Sequence, residues 1–320
     1  MKHLVFFVAL LSVAGGAIAH EFSEVCSSGQ TLYYSTLNNK ASVECAGSGS
    51  NPYNGYVRPA GNLVIPDSVT HNGYTYPVTT INSRAFYECS DLLSVIIPNS
   101  VTAIAPEAFY GCSGLTAIEI PASITQIRTN AFANCSGLQS VVFNAVECTQ
   151  MGTTSKPVFQ NCTSLTTLTV GASVTSIPSY AFKGCASLEI IFSHNSVPPT
   201  VNNVNAFENV DKNIPLIVPA GSHDAYAAAY AWREFFNISE EGETPQGITD
   251  AGLDNTVVTI ADGRITLTGA EGHRVTLTDI QGRILHHQTA TPTHTIDVPA
   301  TGVYLLQVDN HPAHRISVVK

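Results

Sequence analysis

Charge is scarce in this 320-residue chain: Asp, Glu, Lys and Arg make up 12% of it, about half the usual share. Coiled coils and long helical bundles, which need abundant Glu, Lys and Arg, are excluded on that ground. Basic residues are the scarcer sign, with 14 Lys and Arg against 24 Asp and Glu, a formal charge of −10. No stretch is basic, so no nucleic-acid partner is expected, because such binding works by neutralising phosphates. Docking to an anionic membrane surface is disfavoured for the same reason. Beyond the first 19 residues no segment approaches 18 unbroken apolar residues, so no later membrane helix is expected.

Catalytic signatures are missing too. There is no phosphate-cradling P-loop, no G-x-G-x-x-G, no H-E-x-x-H and no C-x-x-C. Gly47-Ser48-Gly49-Ser50 lacks the strand-to-helix turn of a nucleophile elbow. Acidic residues in the middle of the chain do not recur in pairs at one register, so a glycosidase-like couple is unsupported. The reading is a non-enzyme with no cofactor and no metal.

Hydrophobic residues at 44% and aromatics at 8% suffice to bury a core, which argues against disorder. Lys2 and His3 precede LVFFVALLSVAGGAIA, which closes on the small-x-small pattern Ala17-Ile18-Ala19. That is the form of an export signal, residues 1–19, with cleavage after Ala19. The expected location is therefore outside the cytoplasm.

Self-comparison organises the middle. LLSVIIPNSVTAIAPEAFYGCSG is followed by LTAIEIPASITQIRTNAFANCSG and later by LTTLTVGASVTSIPSYAFKGCAS. Phe86, Phe109, Phe132, Phe159, Phe182 and Phe207 recur at spacings of 23, 23, 27, 23 and 25. Cys89, Cys112, Cys135, Cys162 and Cys185 follow the first five at three residues' distance. Residues 115–121, LTAIEIP, alternate like a strand with one buried face. Ser-Val-Thr-x-Ile is a second short extended piece, and AF-x-x-C turns the chain back as a helical turn. One such unit cannot bury its own face, whereas stacked units bury a continuous core. NAVECTQMGTTSKPVF lacks the Pro-x-Ser-Val-Thr signature, so that coil is expected to bulge.

This pattern resembles the BspA-like leucine-rich repeats of bacterial surface proteins, over residues 62–238. LIVPAGSHDAYAAAYAWREFFNI resembles that family's closing cap. Ser222 is expected to cap a helix starting near His223, with Tyr226 and Tyr230 on the covering face and Trp232 nearby. Residues 20–61 are read as an N-terminal capping region. The expected fold is mainly β: a leucine-rich-repeat solenoid with short helical turns and a C-terminal cap helix, then a small all-β sandwich.

Cys26 and Cys45 lie outside the repeats, 19 positions apart in an exported chain. A disulfide between them is expected, worth about 3 kcal/mol by loop closure. The five repeat cysteines read either as a metal or redox ladder or, preferably, as small buried apolar side chains. Asn134-Cys135-Ser136 and Asn161-Cys162-Thr163 match a glycosylation pattern, but a turn role explains the asparagines more simply.

Residues 239–255 are acidic and Gly-rich and read as a linker. From 256 to 320, seven short alternating segments suggest a small sandwich. DIQGRIL, THTIDVPATGVYLLQV and the final RISVVK are similar to the C-terminal sorting domain of type IX secretion cargo. The matching residues are Gly282-Arg283, Gly302-Val303-Tyr304 and Lys320. The resemblance implies type IX secretion machinery and a sortase-like peptidase as partners, and surface lipopolysaccharide as the anchor. Six histidines in this module read as scattered surface residues.

With strands starting at the first leucine of each unit, one outward ribbon comprises Ser94, Ile96, Ala117, Glu119, Ser140, Val142, Thr167, Thr169, Ile190 and Phe192. The family resemblance implies adhesion to host matrix or plasma proteins, or to other bacteria, so an extracellular protein ligand is expected. A glycan-binding surface protein and an architectural envelope protein are the alternatives.

Overall fold

The computed structural model describes residues 20–48, 50–241, 257–261, 263–279, 284–299, 302–309 and 314–318. The export signal and residues 242–256 lie outside them. Internal contacts divide the chain into two units that interleave in sequence. One holds the described residues up to Leu165 with Ser173–Ser187 and Val201–Val210; the other holds Thr166–Ala172, Leu188–Thr200 and everything from Asp211 onward.

The first unit opens with an antiparallel meander of β1 (Phe22–Val25), β2 (Thr31–Leu37) and β3 (Lys40–Glu44). β4 (Gly61–Val64), β5 (Ser68–His71) and β6 (Tyr74–Ile81) follow. β3 pairs with β6 in parallel, which joins the meander to the coils. Tyr53 is buried and its hydroxyl donates to the Ala85 carbonyl of the first ladder turn.

The coils then alternate a longer strand with a two-residue one. They are β7 (Leu92–Ile96) and β8 (Ala103–Ile104), β9 (Ala117–Ile120) and β10 (Gln126–Ile127), β11 (Ser140–Phe143) and β12 (Gln150–Met151), β13 (Thr167–Val170) and β14 (Ser176–Ile177), and β15 (Ile190–Ser193) and β16 (Thr200–Val201). β6, β8, β10 and β12 pair in parallel, aligning Ile81, Ile104, Ile127 and Met151 in one buried column. Beside it the Thr102, Thr125 and Thr149 hydroxyls each donate to the carbonyl of the threonine one coil earlier.

The ladder phenylalanines form one buried stack. Ring centroids are 4.9 Å apart for Phe86–Phe109 and Phe109–Phe132, 5.5 Å for Phe132–Phe159, 6.0 Å for Phe159–Phe182 and 5.8 Å for Phe182–Phe207. The closest of these spacings match the ~4.8 Å rise between hydrogen-bonded strands. A helical turn is found only at the last ring, as a 3-10 turn over Val204–Phe207 that ends on the ring residue itself. At Phe86, Phe109, Phe132 and Phe182 left-handed residues on both sides of the ring, such as Arg84 (φ 61°) and Glu88 (φ 54°), break a right-handed helix, and at Phe159 Asn161 does so after the ring. The irregular coil keeps β12 in register. Its extra residues close as a tight turn, in which the Thr153 and Lys156 amides each donate to the other's carbonyl.

The cysteines depart from one expectation and follow another. Cys26 and Cys45 carry free thiols; Cys26 Sγ contacts Ser28 Oγ at 3.0 Å and Cys45 Sγ donates to the Gly47 carbonyl. The register explains why they do not pair. Glu24 lies opposite Leu32, and Tyr33 opposite Glu44, so β2 runs between the two cysteines. Two strand spacings, about 9.6 Å, exceed the ~7 Å that a disulfide spans. The repeat cysteines are buried free thiols. Cys112, Cys135 and Cys162 each donate at 3.1 Å to the carbonyl of Phe86, Phe109 and Phe132 respectively, the ladder phenylalanine of the coil before.

The second unit contains parallel β13 and β15, followed by β17 (Pro215–Val218) and the final strand β18 (Asn237–Glu240). Between β17 and β18 sits α1 (His223–Ala228) and a 3-10 turn, Trp232–Glu234. Ser222 precedes α1 as expected but makes no side-chain cap; its backbone is already helical (φ −105°, ψ −7°). The Glu240 carboxylate takes that role, accepting the Gly221 and His223 amides at 2.7 Å each. Tyr226 is buried and Trp232 is buried, donating to the Pro199 carbonyl at 2.7 Å. Tyr230 is 51% exposed, because α1 ends at Ala228 before the turn that would carry it inward.

The same unit carries β19 (Val257–Ala261), β20 (Arg264–Thr268), β21 (Arg274–Asp279), β22 (Ile284–Thr289), β23 (Thr293–Asp297), β24 (Gly302–Val308) and β25 (His314–Val318). They form two antiparallel sheets, β19-β20-β23 and β22-β21-β24-β25. Val258, Ile265 and Leu267 from one pack with Val275, Leu277 and Leu306 from the other. The described residues are mainly β, a solenoid of about seven turns with little helix and small antiparallel sheets later in sequence.

Candidate interaction face

Strand register decides whether the ribbon read from the sequence exists. In the first unit, Ser140 lies beside Ala117 and Val142 beside Glu119. β4 and β7 add a pair that the repeat pattern did not reveal: Asn62 beside Ser94 and Val64 beside Ile96. In the second unit, Thr167 lies beside Ile190 and Thr169 beside Phe192, and Ile217 of β17 is the next neighbour of Phe192. Side chains two apart on a strand share a face, so the paired strands β4-β7, β9-β11 and β13-β15-β17 each present two short columns of these residues.

Exposure along the columns is uneven. Ile96 is 60% exposed, and Ala117 and Glu119 are exposed. Ser94, Ser140, Val142, Thr167, Thr169 and Phe192 are half-buried. Ile190 is a correction: it sits at the expected register but is only 8% exposed. Thr167 lies on one side of it, and the register of Ile191 with Leu216 brings Pro215 alongside on the other. The bulk of those neighbours closes over it.

Polar groups on the face are few and mostly satisfied. Ser94 donates to Asn62 Oδ1 at 2.7 Å, and Asn144 Nδ2 donates to the Glu119 carboxylate at 2.8 Å. Leu93, half exposed, lies three residues before Ile96 on β7. Sequence reading missed Leu93 because it assigned that position to neither face.

Several buried thiols are held in their neutral form. Burial pushes the Cys148 thiol up to about 11 and the Cys89 thiol up to about 12. Contact with the neighbouring thiol and burial raise Cys135 and Cys162 well above the ordinary thiol range. Among the described residues no three His, Cys, Asp or Glu converge in a metal-holding group. None of their helices is long and apolar enough to cross a membrane. Of the sorting-motif residues, Gly282, Arg283 and Lys320 lie outside the described residues. Gly302, Val303 and Tyr304 lie in β24, and Tyr304 is buried in the sandwich core.

Residues 246–318 match the family model Domain of unknown function (DUF6383). No curated protein matches the chain. Among solved structures, the chain is similar to a leucine-rich cell surface protein of Faecalibacterium prausnitzii, with 21% identity over 76% of this chain and 59% of that one, TM-score 0.39. It thus spans less than two-thirds of that protein. A leucine-rich repeat protein of T. pallidum shows 24% identity over 66% of this chain and 80% of its own, TM-score 0.40. One from Bacteroides capillosus shows 26% identity over 44% and 92%, TM-score 0.34. Residues 79–214 match the family model BspA type Leucine rich repeat region in six copies, the stretch that holds the phenylalanine stack, so this part of the chain is a BspA-type leucine-rich repeat region.

Proposed function

We propose that the chain is a non-enzymatic, exported leucine-rich repeat protein that binds an extracellular protein through its longer strands. The observation that carries this reading is the registered, weakly charged strand face of the first unit, with Ile96 60% exposed among small and half-buried neighbours. An apolar residue held out on a rigid sheet is a suitable anchor for a partner. Host matrix or plasma proteins and other bacteria are the partner classes. Glycan recognition is the weaker reading, since Trp232 is buried and its indole N–H is engaged, which removes the one tryptophan as a sugar platform.

The tail, in this proposal, is a type IX sorting domain, read by the secretion machinery, cut by a sortase-like peptidase and exchanged for a lipopolysaccharide anchor. Its support is the Gly282-Arg283, Gly302-Val303-Tyr304 and Lys320 pattern on a seven-strand, two-sheet module. Full-length protein on a biosensor, presented with fibronectin, fibrinogen and laminin and with whole bacteria, tests the binding half. Saturable binding that Ile96→Asp weakens without loss of folding is the expected result. No saturable binding by the folded protein counts against it. The tail is tested in a type IX-competent host: deletion of residues 256–320 leaves the protein in the periplasm if the reading is right.

A further inference from the structure

His286 and His294 meet at the edge where the two sheets of the C-terminal module come together. His286 belongs to β22 and His294 to β23, each an edge strand of its own sheet. Their Nε2 atoms are 2.7 Å apart, with ring centroids at 4.9 Å. His294 is buried. The pair lies over apolar ladder partners, Leu277 opposite His286 and Leu267 opposite His294.

Two Nε2 atoms at this distance make a hydrogen bond only if one carries the proton and the other offers its lone pair. When both rings are imidazolium, neither Nε2 can accept and two cations are set in contact. Other charged groups nearby do not relieve this. His287, next on β22, is turned to Thr276, with Nδ1 2.8 Å from its hydroxyl. His273, whose backbone bonds to Ala290 between β22 and β23, holds Asp309 at 2.7 Å. Arg274 donates its amide to the same Asp309 carboxylate. On β20 and β23, Arg264 and Asp297 pair with each other at 2.7 Å. Among the described residues no carboxylate is bonded to either ring of the pair.

We propose that His286 and His294 form a proton-operated catch between the two sheets: closed while they share one proton, released when both are charged. Burial, and then the neighbouring His294 and His287, hold His286 below the ordinary imidazole range, which agrees with this. The sign follows from linkage. An opened edge returns the imidazole to about 6.5, so the open form binds more protons than the closed one below that pH. The closed form is therefore favoured above about pH 6.5 and loses up to tenfold in its equilibrium per pH unit below it, for one proton taken up.

Hydrogen exchange on the full-length protein reads this locally. After correction for intrinsic exchange, protection of amides in residues 284–297 is expected to fall about fivefold between pH 6.5 and 5.5, approaching tenfold per unit below that. His286→Gln and His294→Gln are expected to flatten that dependence, while His273→Gln keeps it. Histidine NMR in the unaltered protein is the second measurement and needs no variant. The two rings should titrate as a linked pair, with one midpoint displaced well below the other. Protection that stays constant from pH 7.5 to 5.5, or two independent midpoints near 6.5, overturns the proposal. So does an unchanged slope in both glutamine variants.

Discussion

Two positions after each ladder phenylalanine, the backbone turns left-handed: Glu88, Gly111, Asn134, Asn161, Gly184 and Asn209 have φ between 54° and 79°. Glycine and asparagine tolerate this region, and other L-residues are strained by about 1–2 kcal/mol. This is why Asn134 and Asn161 occupy their places, and their side chains also bond to each other at 2.8 Å. Glu88 is the misfit of the series. Glu88→Asn is expected to stabilise by roughly 0.5 kcal/mol, seen as a higher denaturation midpoint with an unchanged slope. Gly114 and Gly137 answer to a different constraint. A Cβ on either would lie 2.3 Å from the Ser90 carbonyl oxygen or 2.2 Å from that of Ser113, in the coil before. Gly137→Ala should therefore cost about 1–3 kcal/mol as adjacent coils are pushed apart. Thiol titration separates the cysteines at the same scale. Cys89 and Cys185, held neutral by burial, and Cys135 and Cys162, held neutral by the neighbouring thiol and burial, should stay unreactive at pH 8 in the folded protein and react together on unfolding.

Elements were readable where a repeated side chain dictates them and unreadable where a single partner does. The six phenylalanines announce the coils, because only a stacked register buries every ring. All seven strands of the tail were likewise evident from alternation. The cap of α1 was not. Ser222 has the right residue type, but its own backbone is already helical, and the amides on either side of it are held instead by Glu240, 18 residues on, a contact that only β18 creates. The expected Cys26–Cys45 bridge failed similarly, since its geometry depends on β2 passing between its ends. Glu240 supplies a test at this scale. The Gly221 and His223 amides hold its carboxyl below the ordinary range. Its contribution is thus present above about pH 4.5 and is lost as pH falls through the lowered value. Trp232, the chain's one tryptophan, lies in this cap and reports on it by fluorescence. The acid transition should move to higher pH in Glu240→Gln, where that pH-dependent charge is gone.

At the scale of the molecule, charge and face are distributed separately. The chain carries −10, yet among the residues of β4, β7, β9 and β11 the only charged side chain is Glu119, and its carboxylate is already bonded to Asn144. The register of the longer strands was legible as a period-two pattern on repeating coils. Their uneven exposure was not, because covering of Ile190 depends on neighbours in adjacent coils rather than on its own strand. A partner bound on the first unit's face would gain chiefly from apolar contact, which salt does not screen, rather than from ion pairs, which it does. Raising sodium chloride from 50 to 500 mM is then expected to change the dissociation constant by less than about threefold. Removing one exposed anchor should do far more. Burying an isoleucine is worth about 1.5–3 kcal/mol, so Ile96→Asp is expected to weaken binding by roughly 10- to 100-fold, with the desolvated carboxylate adding to the loss. Glu119→Gln should leave affinity within about twofold, since the amide keeps an acceptor for Asn144 and only an exposed charge is lost. A binding isotherm that collapses with salt while Ile96→Asp leaves it unchanged would move the contact away from this face and onto the acidic surface elsewhere.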